Sequence, residues 1–383
     1  MKRRWIILIA SLVLQVILGG IYAWSIFIPS LQKLYDISTS KSSFIFGLTI
    51  FIFTLTMIFA GKILHKIGPR FTALIGATFY AAGFLLASFS GGNYYIILIG
   101  IGIITGIGIG FGYICPLTTC IKWFPKQKGL ITGLAVAGFG GGAILLTRHV
   151  SFLLNMGLDT LEIFRNIAIV TGIPALIAAS LLTNPPDYPV VKEKAGQSIM
   201  DLLKNRVILA AIIGIFSGTF GGLMVVSNIK VIGLTSQLAE NYAILSISLF
   251  AIGNALGRII WGSVFDRVGR IAIPVSLTLL GLSSLLLLVS SPLIFNLGAL
   301  ITGIAFGGCF VLYFLRVEAR FGDLVAQIYP YIFLFYGMSA IFGPMLGGWI
   351  FDQTGTYILA IIGMLLLNLI GAFLVVRIDH KTD

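Results

Sequence analysis

Long apolar runs broken by short polar stretches follow one another along the whole chain. Twelve of these runs are about twenty residues long, the length at which an α-helix crosses the hydrocarbon core of a bilayer. They cover 5–28, 42–63, 72–90, 94–115, 129–149, 166–183, 207–228, 241–264, 272–290, 293–314, 328–350 and 357–376. The pattern predicts an all-α membrane protein with twelve transmembrane helices. The longest polar break, NPPDYPVVKEKAGQSIMDLLKN at 184–205, opens on prolines and separates six helices from six. It predicts an N-terminal six-helix bundle at 1–183, a cytoplasmic linker at 184–205 and a C-terminal six-helix bundle at 206–383. Within the linker, Ser198 to Lys204 is expected to form a short amphipathic helix on the membrane surface.

Composition supports the same class. Of 383 residues, 58% are hydrophobic and only 10% charged, and the mean hydropathy is +1.05; no soluble domain has this balance. A net charge of +12 would suggest nucleic acid for a soluble chain. Here the sidedness of loop charge explains it better. With a cytoplasmic N terminus, nineteen Lys and Arg fall on the cytoplasmic side, and five (Lys33, Lys41, Arg148, Arg165 and Lys230) fall opposite. That asymmetry puts both termini in the cytoplasm, and the expected location is the cell membrane. The opening MKRR resembles the basic start of a signal peptide, but the following apolar run is too long and lacks a small-residue cleavage site, so a retained first helix is expected. Cys115, Cys120 and Cys309 lack metal-ligand spacing, and no metal or cofactor is expected. With no acid/base pair at membrane depth and no nucleophile motif, the sequence does not read as an enzyme.

One charge falls well inside an apolar run, away from its ends. Arg258 lies within Tyr242–Phe265, YAILSISLFAIGNALGRIIWGSVF, where an arginine costs roughly 3 to 15 kcal/mol depending on how far it snorkels. Arg258 is about two turns from the polar Asp266-Arg267, so snorkelling is the bland reading. The helix face favours another: Gly253, Asn254, Trp261 and Gly262 lie three to five residues from Arg258 and Gly257 immediately precedes it, which suits a helix lining a polar cavity. A buried guanidinium has a fork that fits a carboxylate. No acidic residue lies at membrane depth in the sequence, so the expected carboxylate is the substrate's. The glycines of helices 4 and 5 lie inside apolar spans and predict close helix packing; Pro174 and Gly343-Pro344 predict kinks.

The two halves show a weak repeat. Gly61-Lys62-Ile63-Leu64-His65-Lys66-Ile67-Gly68-Pro69-Arg70 aligns with Gly262-Ser263-Val264-Phe265-Asp266-Arg267-Val268-Gly269-Arg270, the glycines at an offset of 201 and the closing arginines at 200. Equal position in two six-helix halves is the mark of parallel repeats. The pattern G-x-x-x-D-R-x-G-R resembles the inter-helix motif of the major facilitator superfamily; it is intact in the second half, and His65 replaces the usual Asp in the first. The stretch from Ile121 to Gly140, IKWFPKQKGLITGLAVAGFG, is similar to the signature of the oxalate/formate antiporter and monocarboxylate transporter branch. So are Gly20-Ile21-Tyr22-Ala23-Trp24-Ser25 and Asn184-Pro185-Pro186.

This resemblance implies the major facilitator fold, with two pseudo-symmetric bundles and Gly61, Gly68, Arg70, Gly262, Asp266, Arg267, Gly269 and Arg270 as a conformational motif. It implies that Arg258, on helix 8, binds the substrate carboxylate. Animal-type monocarboxylate carriers have an aspartate one turn earlier, where this chain has Asn254. Oxalate antiporters add a lysine on helix 11, and 328–350 contains neither lysine nor arginine. One fixed cation suits a monoanion, because a dianion would leave net charge buried. Gln15 and Tyr22 share a face of helix 1, and the resemblance places Tyr22, Tyr113, Tyr313 and Tyr336 around the substrate, where hydroxyls donate and rings exclude water. For Tyr22 and Tyr113 the alternative is interfacial anchoring. Arg148 and His149, at the outer end of helix 5, are candidates for an anion funnel or for proton coupling.

The reading is therefore a secondary active transporter of small organic monocarboxylates of the lactate, formate, pyruvate or acetate class, working by alternating access. Its partners are the anion, protons or a counter-transported anion, and the bilayer; nucleic acid is not expected, and a monomer is. The alternatives are an oxalate/formate-type dicarboxylate antiporter and a non-transporting membrane sensor. Efflux of cationic or neutral drugs conflicts with a cationic cavity lacking acids.

Overall fold

A computed structural model of the chain describes residues 2–124, 128–186, 205–321 and 325–379. All regular structure among them is helical. The chain packs as two compact units, Met1–Pro189 and Val190–Asp383. Residues 187–204, which include the expected surface helix at 198–204, lie outside the described residues, as does 125–127.

In the first unit, α1 (Lys2–Gly19) tightens into a 3-10 segment, Gly20–Ile26, and is followed by α2 (Ile28–Tyr35). Then come α3 (Thr39–Ser88), α4 (Tyr94–Ile97), a π-helical stretch Leu98–Thr105 and α5 (Gly106–Trp123). The unit closes with α6 (Lys128–Asn155), α7 (Thr160–Val170) and α8 (Gly172–Leu181). The second unit comprises α9 (Arg206–Thr235), α10 (Glu240–Val268), α11 (Ala272–Ser284), α12 (Pro292–Gly308), α13 (Leu312–Phe321), α14 (Val325–Thr354) and α15 (Ile358–Asp379).

Ten helical stretches among the described residues are long and apolar enough to cross a membrane. Two of them are double length, Thr39–Ser88 with 50 residues and Glu240–Leu288 with 49. At 1.5 Å per residue a straight 50-residue helix would run about 75 Å, more than twice a hydrocarbon core of roughly 30 Å. Both fold back instead. Along α3, Thr49 and Phe53 lie against Gly106 and Gly110, so this part runs parallel to α5. Beyond Gly68 the order reverses: Gly76 lies against Gly108 and Gly112, and Gly83 against Gly100 and Thr105. The second unit repeats the scheme. Phe250 and Asn254 lie against Gly303 and Gly307, whereas Leu286 meets Gly298 and Ser283 Oγ lies 3.0 Å from Thr302 Oγ1.

The reversals sit on the paired glycines of the sequence repeat. Gly68 has φ 79° and ψ 171°; Gly269 has φ 59° and ψ −137°. This combination is essentially closed to any residue with a Cβ. Space is not the constraint, since a Cβ at either position would have no atom within 4 Å. The offset of 201 (269 − 68) recurs at Gly142 and Gly343 (343 − 142), which meet Val16 and Phe220 backbone on the first helix of their own units.

Several boundaries differ from the sequence reading. The sixth apolar run divides at Thr171, with Pro174 in the first turn of α8; its missing N–H is tolerated there because helix starts have orphan donors. By contrast, α14 runs through Pro330 and Pro344 without interruption. The tenth run breaks at 309–311, where Cys309, Phe310 and Val311 each bond back three residues rather than four.

Gly269→Ala and Gly68→Ala are expected to lower the thermal unfolding midpoint in detergent, each at a cost of order 1–3 kcal/mol from backbone strain alone. Gly363→Ala, in α15 with equally open surroundings and no positive φ, is expected to leave it unchanged or raise it. Equal effects at all three positions would contradict the strain argument.

Candidate substrate site

Arg258 is buried, with 6% of its surface exposed. Snorkelling would have left the guanidinium at the surface. Its Nε donates to Asn254 Oδ1 at 3.4 Å, one turn earlier on α10. Its Cζ lies 4.4 Å from the centroid of the Phe310 ring, a cation–π distance at which desolvation strengthens the attraction. Phe310 reaches this place because the chain turns at 309–311; three backbone bonds to Phe306, Gly307 and Gly308 tighten that turn. Gly307 rests on Asn254 and Arg258 backbone and Gly308 on the Trp261 ring, whose Nε1 donates to Ile304 O at 3.0 Å. The small residues noted around Arg258 thus bring α10 and α12 into close contact.

The aromatic wall continues on α14. Tyr336 meets Phe310 edge-on at 5.3 Å and Phe333 at 4.8 Å, and Phe333 meets Tyr329 at 5.6 Å. Arg258, Asn254 and Tyr336 are therefore brought together around Phe310. Tyr313 is placed differently: it is fully buried, its ring packs on Gly214 of α9, and its hydroxyl has no hydrogen-bond partner among the described residues.

In the first unit, Gln15, Tyr22 and Tyr113 also share one cluster. Gln15 Nε2 donates to Tyr113 O at 3.2 Å. Tyr22 and Tyr113 both meet the Phe139 ring, at 5.6 and 4.9 Å. Phe53 completes the group, 5.1 Å from Tyr113 and 5.8 Å from Phe139. Tyr22 is buried, with 2% exposure, so it is a core ring rather than an interfacial anchor. Phe53, Phe139 and Phe310 were not singled out by sequence reasoning. Phe139 lies in the quoted signature and Phe310 lies two residues after a Gly-Gly pair, but nothing in either pattern marks the ring.

The other candidates lie apart. His149 is half-buried, with Nε2 2.7 Å from Asn166 Oδ1, which ties α6 to α7; Arg148 is exposed. At the reversals, Gly61 and Gly262 lie against Ile114 and Val311, while Arg70, Asp266 and Arg267 are exposed. Lys230, assigned by the sequence to a membrane surface, is buried, with 2% of its surface exposed, and paired with Glu240 at 2.8 Å. Among the described residues no group of three His, Cys, Asp or Glu could hold a metal ion.

Comparison with known proteins agrees with this architecture. A family model described as Major Facilitator Superfamily matches residues 8–329. The uncharacterized MFS-type transporter YhjX of Escherichia coli is 25% identical over 359 residues, covering 89% of this chain and 86% of the relative. The oxalate:formate antiporter of Oxalobacter formigenes is 25% identical over 274 residues, 70% of this chain and 64% of that one. Apicoplast pyruvate carrier 1 of Toxoplasma gondii is 24% identical over 380 residues, covering 80% and 68%. With the family model spanning most of its length and two helical units built on one repeated scheme, the chain belongs to the Major Facilitator Superfamily.

Proposed function

We propose that this chain is a secondary active carrier of small organic monocarboxylates, with Arg258 as the group that binds the carboxylate. Transport of small organic anions in general is supported by the family and by its relatives, an oxalate:formate antiporter and a pyruvate carrier. The observation that carries the finer reading is the burial of the Arg258 guanidinium against Phe310 and Asn254. The Phe310 ring lies within cation–π distance of the guanidinium and Asn254 engages Nε. In-plane N–H groups suit the two oxygens of a carboxylate.

In this reading the two folded-back stretches each cross twice, giving twelve crossings in the cell membrane with both termini cytoplasmic. Six-helix bundles alternate access to the substrate. Seating a monoanion neutralises Arg258, which lowers the cost of occluding it; the empty, charged guanidinium resists the same step. Exchange of one anion for another follows from that difference. Tyr336 supplies a wall to the site through Phe310; in the first unit Gln15, Tyr22 and Tyr113 form a cluster of their own, and His149 and Arg148 are candidates for coupling or for attracting anions. The name of the antiporter relative favours a second reading, a dicarboxylate exchanger. Against it, α14 carries no lysine or arginine.

Uptake of labelled lactate, formate, pyruvate and acetate into proteoliposomes tests the proposal. Arg258→Gln is expected to abolish saturable uptake and Arg258→Lys to restore little of it, because an ammonium lacks the fork. Arg258→Met is expected to hold the thermal midpoint at or near wild type, since it removes a desolvated charge. A fall of many degrees would make the arginine structural. Strong competition by oxalate would favour the dicarboxylate reading, and uptake by the Gln variant at the wild-type rate would sink the site assignment.

Phe310→Leu removes the cation–π contact and is expected to weaken apparent affinity about 3- to 30-fold, which corresponds to roughly 0.6–2 kcal/mol, with little change in the amount of folded protein. Unchanged affinity in the same uptake assay would remove Phe310 from the site.

A further inference from the structure

At one end of the first unit, three helices converge on a cationic patch that the proposed carboxylate site does not use. Arg3 and Arg4 stand in the first turn of α1, where backbone N–H groups have no intrahelical partner and the helix dipole is positive. Arg3 Nη2 donates to Thr183 Oγ1 at 3.4 Å. At the end of α5, Lys122 Nζ donates to Asn184 Oδ1 at 3.2 Å and Trp123 Nε1 to Thr183 O at 2.6 Å. The indole bond clamps the end of α5 to the chain just after α8, and so sets Lys122 beside Arg3. The Arg4 guanidinium lies 5.5 Å from the Trp5 ring and 5.6 Å from the Phe124 ring. Beneath them, Leu8, Cys120 and Phe124 form a small apolar core.

Three observations point to an anion. Arg4 Nε is buried and has no hydrogen-bond acceptor among the described residues, an arrangement that costs free energy until an acceptor arrives. No acid among the described residues of this unit is near: Asp36, Asp159 and Glu162 all lie in the connections at the other end of the helices. Burial also depresses the pKa of Lys122; an adjacent anion would oppose that shift. A fourth observation concerns the source of the anion. Directly below the cations, α1 presents Trp5, Ile6, Ile9 and Val13, which are 49%, 48%, 61% and 37% exposed. A cationic head position above an exposed apolar stripe matches the two parts of a phospholipid.

We propose that Arg3, Arg4 and Lys122 form a binding site for the phosphate headgroup of an anionic phospholipid, whose acyl chains lie along the Ile6–Ile9–Val13 face of α1. Interfacial basic clusters of this kind bind anionic headgroups. The general excess of basic residues on one side of a membrane protein explains the sign of the patch. It does not explain why an α1 arginine and an α5 lysine are bonded to consecutive residues, Thr183 and Asn184, around a buried Arg4 Nε that has no acceptor among the described residues. The inference is independent of the carboxylate reading.

The test is the thermal midpoint of the purified full chain in detergent with added phosphatidylglycerol, phosphatidylcholine or inorganic phosphate, together with a count of retained lipids by native mass spectrometry. Phosphatidylglycerol is expected to raise the wild-type midpoint by several degrees more than phosphatidylcholine, and to remain bound. The Arg4→Gln, Lys122→Gln double variant is expected to lose most of that difference, and Lys66→Gln, an exposed cation on α3, to keep it. Arg4→Lys, which keeps the charge without the Nε–H, is expected to show a partial loss, and it decides the matter if the double variant does not fold. The proposal is overturned if the two lipids act alike, if inorganic phosphate reproduces the effect, or if Arg4→Lys and the double variant both respond as wild type does.

Discussion

A guanidinium buried in an apolar span dictates much of the second unit. Left in hydrocarbon it would cost many kcal/mol, so its neighbours must supply polar and π contacts at close range. Asn254 does so from one turn away, and Phe310 does so from another helix. For Phe310 to reach, α12 must break at 309–311, and α10 must lie close enough that Gly253 and Gly257 meet backbone on α12. The small residues, the helix break and the aromatic wall on α14 are thus parts of one solution. Housing a buried charge in this way adds little to the stability of a fold.

The two units share a backbone scheme and differ in chemistry. Both fold a long apolar stretch back at a glycine whose φ and ψ exclude other residues, and both lay the two arms along one neighbouring helix in opposite directions. Yet the residues at the repeat offset from Asn254 and Arg258 are Phe53 (254 − 201) and Met57 (258 − 201). Phe53 belongs to the uncharged cluster of Tyr22, Tyr113 and Phe139. The duplicated scaffold thus carries a cationic interior in one unit and an aromatic one in the other.

Charge at the helix ends divides along the same lines. In the second unit, Lys230 sits beneath the surface and is held by Glu240 at the start of the next helix, so the pair is satisfied within the unit. In the first, the basic end around Arg4 has rings and carbonyls for company and no carboxylate among the described residues. Outside the bilayer, burial and the neighbouring carboxylates of Asp159 and Glu162 push the Tyr35 phenol up to about 12. That keeps it a neutral donor to the capping loop of α7.

Whatever depends on order along a single helix was legible from the residues alone. Run length specified apolar spans, loop charge specified their expected sidedness, and the glycine of the repeat marked the reversals, since only glycine takes that backbone without strain. Arg258 was legible for the same reason: a charge in an apolar run stands out against its immediate neighbours. Packing between helices decided the rest. Phe310, Phe139 and Phe53 are three of 29 phenylalanines in a chain that is mostly apolar, and no local pattern says which ring faces a cation. Tyr313 and Tyr336 looked equivalent on paper; contact with Gly214 claims the first, and contact with Phe310 draws the second to Arg258. Lys230 read as a surface charge because hydropathy reports depth along one helix and carries no record of the neighbour that covers it. In a bilayer both the lipid-facing and the buried sides of a helix are apolar, so the amphipathic period that betrays the inward face of a soluble helix is muted. Which side chains meet is then settled only by tertiary contact.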